Sequence, residues 1–268
     1  MRKLGRNFYD LHVHFNEEIE ETIEIAKRLG WKGICITEYF EGKKSERKFL
    51  DFTKKIDEIK RRNLSKKGKE IEILIGAEIK EDIRKNSRDA LNFSDIIIVH
   101  GGNEKINREA SECWEVDILA HPEISTGKDF MNQKNSGIDH IIAKLLKEKV
   151  IAIEINFSEL LNASAALRAQ KIGRICQNII LARKYGVPII ITSGAKSKYE
   201  LRSPKDLLSL GKLIGMSDLE AKKSLEENPL KILKKSKDRK NPNILLKGLE
   251  VLNWGNQEKR KKKMYGFY

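Results

Sequence analysis

The stretch Phe8-Tyr9-Asp10-Leu11-His12-Val13-His14 leads through Phe15-Asn16-Glu17-Glu18 into an amphipathic run that reaches Leu29. Side chains alternate between the two faces of an extended strand. The stretch therefore predicts Asp10, His12 and His14 on one face, with Tyr9, Leu11 and Val13 on the other. The first row turns groups able to hold a metal or a proton toward a shared interior, and the second packs outward. Glu17, Glu18, Glu20 and Glu21 suit a helix N-terminus. A strand that ends in histidines and feeds a helix is how (β/α) barrels carry their chemistry. Two strand histidines can equally do no more than satisfy a polar core, so the other strand ends are decisive.

Six further strands are predicted, at Gly33–Thr37, Ile71–Ile79, Ile96–Val99, Ile118–Ala120, Val150–Ile155 and Val187–Ile191. Between them lie helical patterns from Ser45 to about Asn63, at Asn86–Asn92, at Ile106–Glu112, from Asp139 to Lys149 and from Ala165 to Tyr185, where Gly186 stops the last. Continuous apolar runs belong to strands buried on both faces, as in a parallel sheet covered by helices. A doubly wound open sheet would gather its polar residues at one switch point. Here nearly every strand ends in a polar or ionisable residue, which predicts a distorted TIM-like (β/α) barrel of about seven parallel strands with one mouth.

Beyond the seventh strand, Ser203-Pro204 opens a helix through Leu213 and Ser217-Asp218 opens another. Asn228-Pro229 is expected to break that helix before a short basic one, with a loop after Lys237. Ile244–Leu252 is apolar enough to dock on the body, and Gln257–Tyr268 reads as a solvated tail. The division expected is a barrel domain over residues 1–236 and a basic extension over 237–268.

A chain of 268 residues can bury a sizeable core. It has no apolar run of eighteen residues and no apolar segment behind its basic N-terminus, so neither a membrane span nor a secretory signal is expected. Cys35, Cys113 and Cys176 share no metal-ligand spacing and suit a reduced, cytoplasmic protein. The net charge is +14, and the residues from Lys231 onward hold 12 of the 53 cations but only 3 of the 39 carboxylates. That bias toward the C-terminus points to a polyanionic partner, nucleic acid before membrane. It also fits a merely solubilising tail.

The mouth residues are His12, His14, Glu38, Tyr39, Glu78, His100, His121 and Ser193-Gly194-Ala195-Lys196. In this order they resemble the polymerase and histidinol phosphatase (PHP) superfamily over about residues 7–230. The resemblance rests on Asp10-Leu11-His12-Val13-His14, Gly76-Ala77-Glu78, His100 and Ala120-His121-Pro122. It implies a cluster of catalytic metals at the barrel mouth. The chain departs from that pattern by lacking a further histidine after the first pair. It also has Thr37-Glu38-Tyr39 for Thr-Asp-His, and Ser193-Gly194-Ala195-Lys196 for Ser-Asp-Ala-His. A lysine ammonium has donors and no lone pair, so it repels a divalent cation and attracts phosphate. The expectation is no complete metal site, with His12, His14, Glu78, His100 and His121 as its remnant. A metal-dependent phosphoesterase with an incomplete site is the competing reading.

A second resemblance is sharper. The opening stretch, Ile191-Thr192-Ser193-Gly194-Ala195 and Leu201-Arg202-Ser203-Pro204-Lys205-Asp206-Leu207 together are similar to the archaeal ribonuclease P protein component 3 family. This implies a subunit of the ribonucleoprotein that removes the 5′ leader from precursor tRNA, with the chemistry done by Mg2+ ions held on the RNA and no cofactor bound firmly by the protein. It implies as partners the ribonuclease P RNA, precursor tRNA, ribonuclease P protein component 2 in a dimer of heterodimers, and the other ribonuclease P proteins. No catalytic residue is expected. Lys196, Arg202 and Lys205 are the first expected RNA contacts, Arg168 and Arg174 the second, and Lys259, Arg260, Lys261, Lys262 and Lys263 add affinity from the tail.

Overall fold

The computed structural model describes residues 7–65, 70–124, 127–129, 131–246 and 249–255. Seven parallel strands lie side by side in chain order: β1 (Tyr9–His14), β2 (Gly33–Tyr39), β3 (Glu72–Ile79), β4 (Ile96–His100), β5 (Ile118–Ala120), β6 (Ala152–Asn156) and β7 (Ile189–Thr192). Between them run α1 (Ile19–Leu29), α2 (Glu46–Ser65), α3 (Ile83–Ala90), α4 (Glu104–Glu112), α5 (His140–Glu148), the short α6 (Phe157–Leu161) and α7 (Ala165–Tyr185). The expected barrel is the fold. Its seam closes beyond β7, where the His14 amide donates to the Ala195 carbonyl at 2.8 Å and the Gly194 amide to the His12 carbonyl at 3.1 Å.

The opening strand does not alternate as the sequence suggests. Asp10 pairs with Ile34 and Val13 with Ile36, so Leu11 and His12 together oppose Cys35. This β-bulge flips the face of the strand part-way along. Tyr9 and Leu11 join the apolar lumen with Cys35, Leu74, Ile98 and Ile190, while Val13 packs with the outer core. Beyond the bulge, His12 and His14 point inward. Asp10 is removed from the expected row of inward ligands. Its carboxylate, fully buried, accepts from the His12 amide at 3.3 Å and the Ser193 amide at 3.2 Å.

After β7 come α8 (Pro204–Leu213) and α9 (Asp218–Leu225), which pack on the outer core, and α10 (Glu227–Lys240), which closes the end of the barrel opposite the mouth. Capping boxes Ser203/Asp206 and Ser217/Glu220 start α8 and α9 as expected. The expected break falls two residues before Asn228-Pro229: α9 ends at Leu225 and α10 starts at Glu227, with Pro229 in its first turn, where proline is tolerated. That helix also runs through Lys237, where a loop was expected, because its last turn is anchored. Buried Arg239 makes a two-pronged contact with buried Asp117 at 2.8 and 2.7 Å. About two turns earlier, Ile232 and Leu233 plug the lumen. The segment after α10 forms an antiparallel hairpin of β8 (Ile244–Leu246) and β9 (Leu249–Glu250); Leu252 is 94% exposed, so the expected docking is partial. No helix among the described residues is long and apolar enough to cross a membrane, and all three cysteines are free.

Asp10→Ala should destabilise the fold by about 1–3 kcal/mol, because two buried amides lose their acceptor. Asp10→Asn keeps an acceptor and should lose less. Urea unfolding of the three proteins checks the order, and an alanine variant as stable as the parent would remove Asp10 from its bracing role.

Candidate functional site at the barrel mouth

The bulge sends His12 into the mouth between two carboxylates on strands across the lumen. Its Nδ1 lies 2.8 Å from Glu154 Oε1 of β6, and its Nε2 lies 3.5 Å from Glu78 Oε2 of β3. Glu78 also accepts from His100 Nδ1 at 2.8 Å, and His14 Nδ1 stands 3.8 Å away. His121 follows β5 with a left-handed φ of 32° and sets its ring edge-on to His100, centroids 4.3 Å apart. All five expected mouth residues thus converge. Glu154 was not foreseen. A single carboxylate within the apolar run Ala152-Ile153-Glu154-Ile155 is the signal that marked it, since a buried charge needs a partner. Thr192 donates to the same Glu154 oxygen.

Burial disfavours every charge here, and the contacts decide which charges survive. Burial would pull the His12 imidazole down, but Glu154 and then Glu78 outweigh it and hold its pKa well above the ordinary value. Burial would raise both carboxyls. His100 and His12 hold Glu78 well below the usual range, and His12 does the same for Glu154. Burial, followed by the neighbouring charge of His12, lowers His14 to about 4. Burial likewise lowers His121 to about 4. The mouth is therefore an internal ion cluster: protonated His12 between two carboxylates, flanked by neutral His14 and His121.

The donor atoms form two triads that share Glu78, one with His12 and His14 and the other with His100 and His121. Within the described structure His12 Nε2, Glu78 Oε2, Glu154 Oε2 and His121 Nδ1 are buried without a hydrogen-bond partner. The donors match a metal in type, and metal binding would release the proton that His12 otherwise holds. Tyr39 and Lys196 supply no carboxylate or imidazole to complete a cluster, and Lys80 lies 3.7 Å over the Tyr39 ring. Gly194 is set by packing as well as by the missing ligand: at φ +60° a Cβ would meet the Asn156 side chain at 2.1 Å. The two triads therefore stand without the further ligands that the PHP pattern places at Tyr39, Gly194 and Lys196.

The expected RNA contacts separate. Lys196 and Lys205 are exposed near the mouth rim and on the first turn of α8. Arg202 lies 5.2 Å over the Phe157 ring and donates to the Tyr199 and Leu201 carbonyls, so part of its guanidinium is used within the fold. Arg168 is exposed but donates to three carbonyls, those of Leu160, Leu161 and Ala163, that end α6 and begin the next loop. Arg174 is the correction. It is buried, and its guanidinium bonds Asp129 at 2.8 Å and the carbonyls of Glu123 and Gly127, so it braces a loop instead of facing a partner. Lys259–Lys263 lie outside the described residues.

This charge pattern shapes the response to acid. His14 and His121 titrate near 4 in the fold and near 6.5 when unfolded, so the unfolded chain binds more protons between those values. Each imidazole therefore loses stability as pH drops through that window. Asp10, pushed up to about 6, and Glu123, pushed up to about 8, both by burial, oppose the trend because their folded forms take up a proton first. Two imidazoles and two carboxyls largely offset one another, so His14 is read by difference from its own variant. His14→Gln should gain about 1–3 kcal/mol relative to the parent between pH 6.5 and 4.5 in denaturant unfolding. A stability difference that does not change with pH would remove His14 from the acid response.

The family model described as RNase P subunit p30 matches residues 7–241. Ribonuclease P protein component 3 of Methanococcoides burtonii is 33% identical over 254 residues, covering 92% of this chain and 94% of that protein. The component 3 of Methanocaldococcus jannaschii is 35% identical over 214 residues, covering 78% and 84%. A protein chain in the cryo-EM structure of archaeal ribonuclease P with mature tRNA superposes with a TM-score of 0.71 at 31% identity, over 92% of this chain and all of that one. The 5-methylcytosine deaminase of Klebsiella pneumoniae, at 12% identity and a TM-score of 0.51 over 80% of this chain and 62% of its own, shares the barrel alone. With the bulged first strand, the seven-stranded barrel and the α8 capping box all inside the matched span, this chain belongs to the RNase P subunit p30 family.

Proposed function

We propose that this chain is a protein subunit of ribonuclease P that assists the RNA subunit in removing the 5′ leader from precursor tRNA. The observation that carries the reading is the full-length likeness to a chain of archaeal ribonuclease P, joined to a barrel mouth whose charges are balanced internally. Cleavage then rests with the RNA and the Mg2+ ions it holds, and the protein supplies a rigid, cationic scaffold. Lys196 and Lys205 meet phosphates, while Arg202 fixes the loop between β7 and α8. Such backbone contacts set affinity and register without reading sequence. Component 2 and the other ribonuclease P proteins complete the assembly, with component 2 in a dimer of heterodimers.

Reconstitution tests this directly. Cleavage of precursor tRNA by the RNA with its other proteins should rise when this chain is added, and no stimulation would end the proposal. The pure chain should show no turnover of p-nitrophenyl phosphate with added manganese or zinc. A metal-dependent turnover abolished by His12→Ala and by His100→Ala would instead favour the phosphoesterase. For the tail, deletion after Gln257 should flatten the slope of log affinity against log salt by up to about 3–4 units if all five cations engage phosphates. Cleavage position should not move. An unchanged slope would make Lys259–Lys263 bystanders.

A further inference from the structure

The pole of the barrel opposite the mouth carries a cleft of about 1240 Å3 between the lower ends of β6 and β7, α10 and the β8–β9 hairpin. Its walls mix apolar residues, among them Trp114, Val187, Met216 and Ile244, with eight cations against four carboxylates. Several of these charges are matched. Glu220 takes Arg183 at 2.7 Å, and Asp117 takes Arg239 at 2.7 Å and Lys235 at 3.4 Å. Among the described residues Lys147, Lys149, Lys231 and Lys234 have no ion-pair partner, Lys231 having only the Asn228 side-chain oxygen at 3.3 Å.

Two of the four have a local explanation. Lys147 and Lys149 end α5, and cations favour a helix C-terminus. Lys231 and Lys234 do not. They sit within α10 on its exposed side, one turn apart, where like charges repel. The buried side of the same helix is fixed by Ile232, Leu233 and Arg239, so the unmatched lysines are held in place over a rigid floor. A concave wall with surplus, well-placed ammonium groups and interleaved apolar surface suits a phosphate backbone.

We infer that this cleft is a second contact for RNA, engaging the phosphate backbone of the ribonuclease P RNA through Lys231 and Lys234, with Lys147 and Lys149 on the facing wall. The inference rests on the ribonuclease P reading, which supplies the polyanion. It places an RNA contact at the pole away from Lys196 and Lys205, so that the barrel bridges two segments of RNA.

The test is binding of the full chain to the ribonuclease P RNA across a salt series. It compares the parent, the double variant Lys231→Glu/Lys234→Glu and the mouth variant Lys196→Glu/Lys205→Glu. The floor variant should melt like the parent, bind about 10-fold more weakly at low salt and lose about 1.5–2 units of salt slope. If charge reversal perturbs folding, Lys231→Gln/Lys234→Gln should still lose the slope. Parent-like affinity and slope in the floor variants, with weakened binding in the mouth variant, would overturn the inference and leave the ribonuclease P reading standing. Floor variants that keep RNA affinity but lose a protein from the reconstituted particle would overturn it in favour of an acidic protein partner. A parent chain that neither binds the RNA nor stimulates cleavage would remove the functional reading and this inference together.

Discussion

Asp10 holds the amides of His12 and Ser193 on one buried carboxylate, and that contact keeps an extra residue in β1. Without the bulge, strict alternation would send either Leu11 or His12 to the wrong side of the strand. With it, Leu11 fills the lower lumen and His12 enters the mouth above. The same carboxylate ties β1 to the end of β7, beside the seam closed by His14 and Ala195. Barrel closure and site geometry therefore depend on one side chain.

Placed there, His12 acts as a counter-ion. Glu78 and Glu154 are both buried, and two buried carboxylates need a positive charge between them. In a metal site the cation supplies it; among the protein's own groups His12 is the one placed to do so. The mouth keeps the donor types of a metal centre, with Tyr39, Gly194 and Lys196 where the PHP pattern has further ligands. His14 and His121 are held low chiefly by burial, which disfavours their charged form, with the charge of His12 adding to the effect at His14.

Much of this was legible in the chain. Strand-ending polar residues at His100, His121 and Thr192 predicted a barrel with one mouth, and Ser203-Pro204 predicted its capped helix. The bulge was not legible, because period-two reading assumes an unbroken ladder and nothing in Asp10-Leu11-His12 announces two residues opposite one. Arg174 misled for a related reason. A guanidinium near a helix start reads as exposed, and only the fold reveals the carbonyls of Glu123 and Gly127 that surround it. The end of α10 was missed because the basic text after Lys237 looked solvated, whereas Arg239 has a buried carboxylate, that of Asp117 just before β5.

The two poles differ in how their charges are satisfied. At the mouth, the buried imidazoles and carboxylates balance among themselves, and what remains for a partner is a rim of Lys196 and Lys205. At the floor, α10 divides its residues by face: Ile232, Leu233 and Arg239 secure the barrel, while Lys231 and Lys234 stay unmatched above the cleft. A helix that is anchored from below loses little further freedom when its lysines meet phosphate, so the contact costs less ordering than the same charges on a loose tail. The plug that completes the fold thereby also holds Lys231 and Lys234 on an anchored helix.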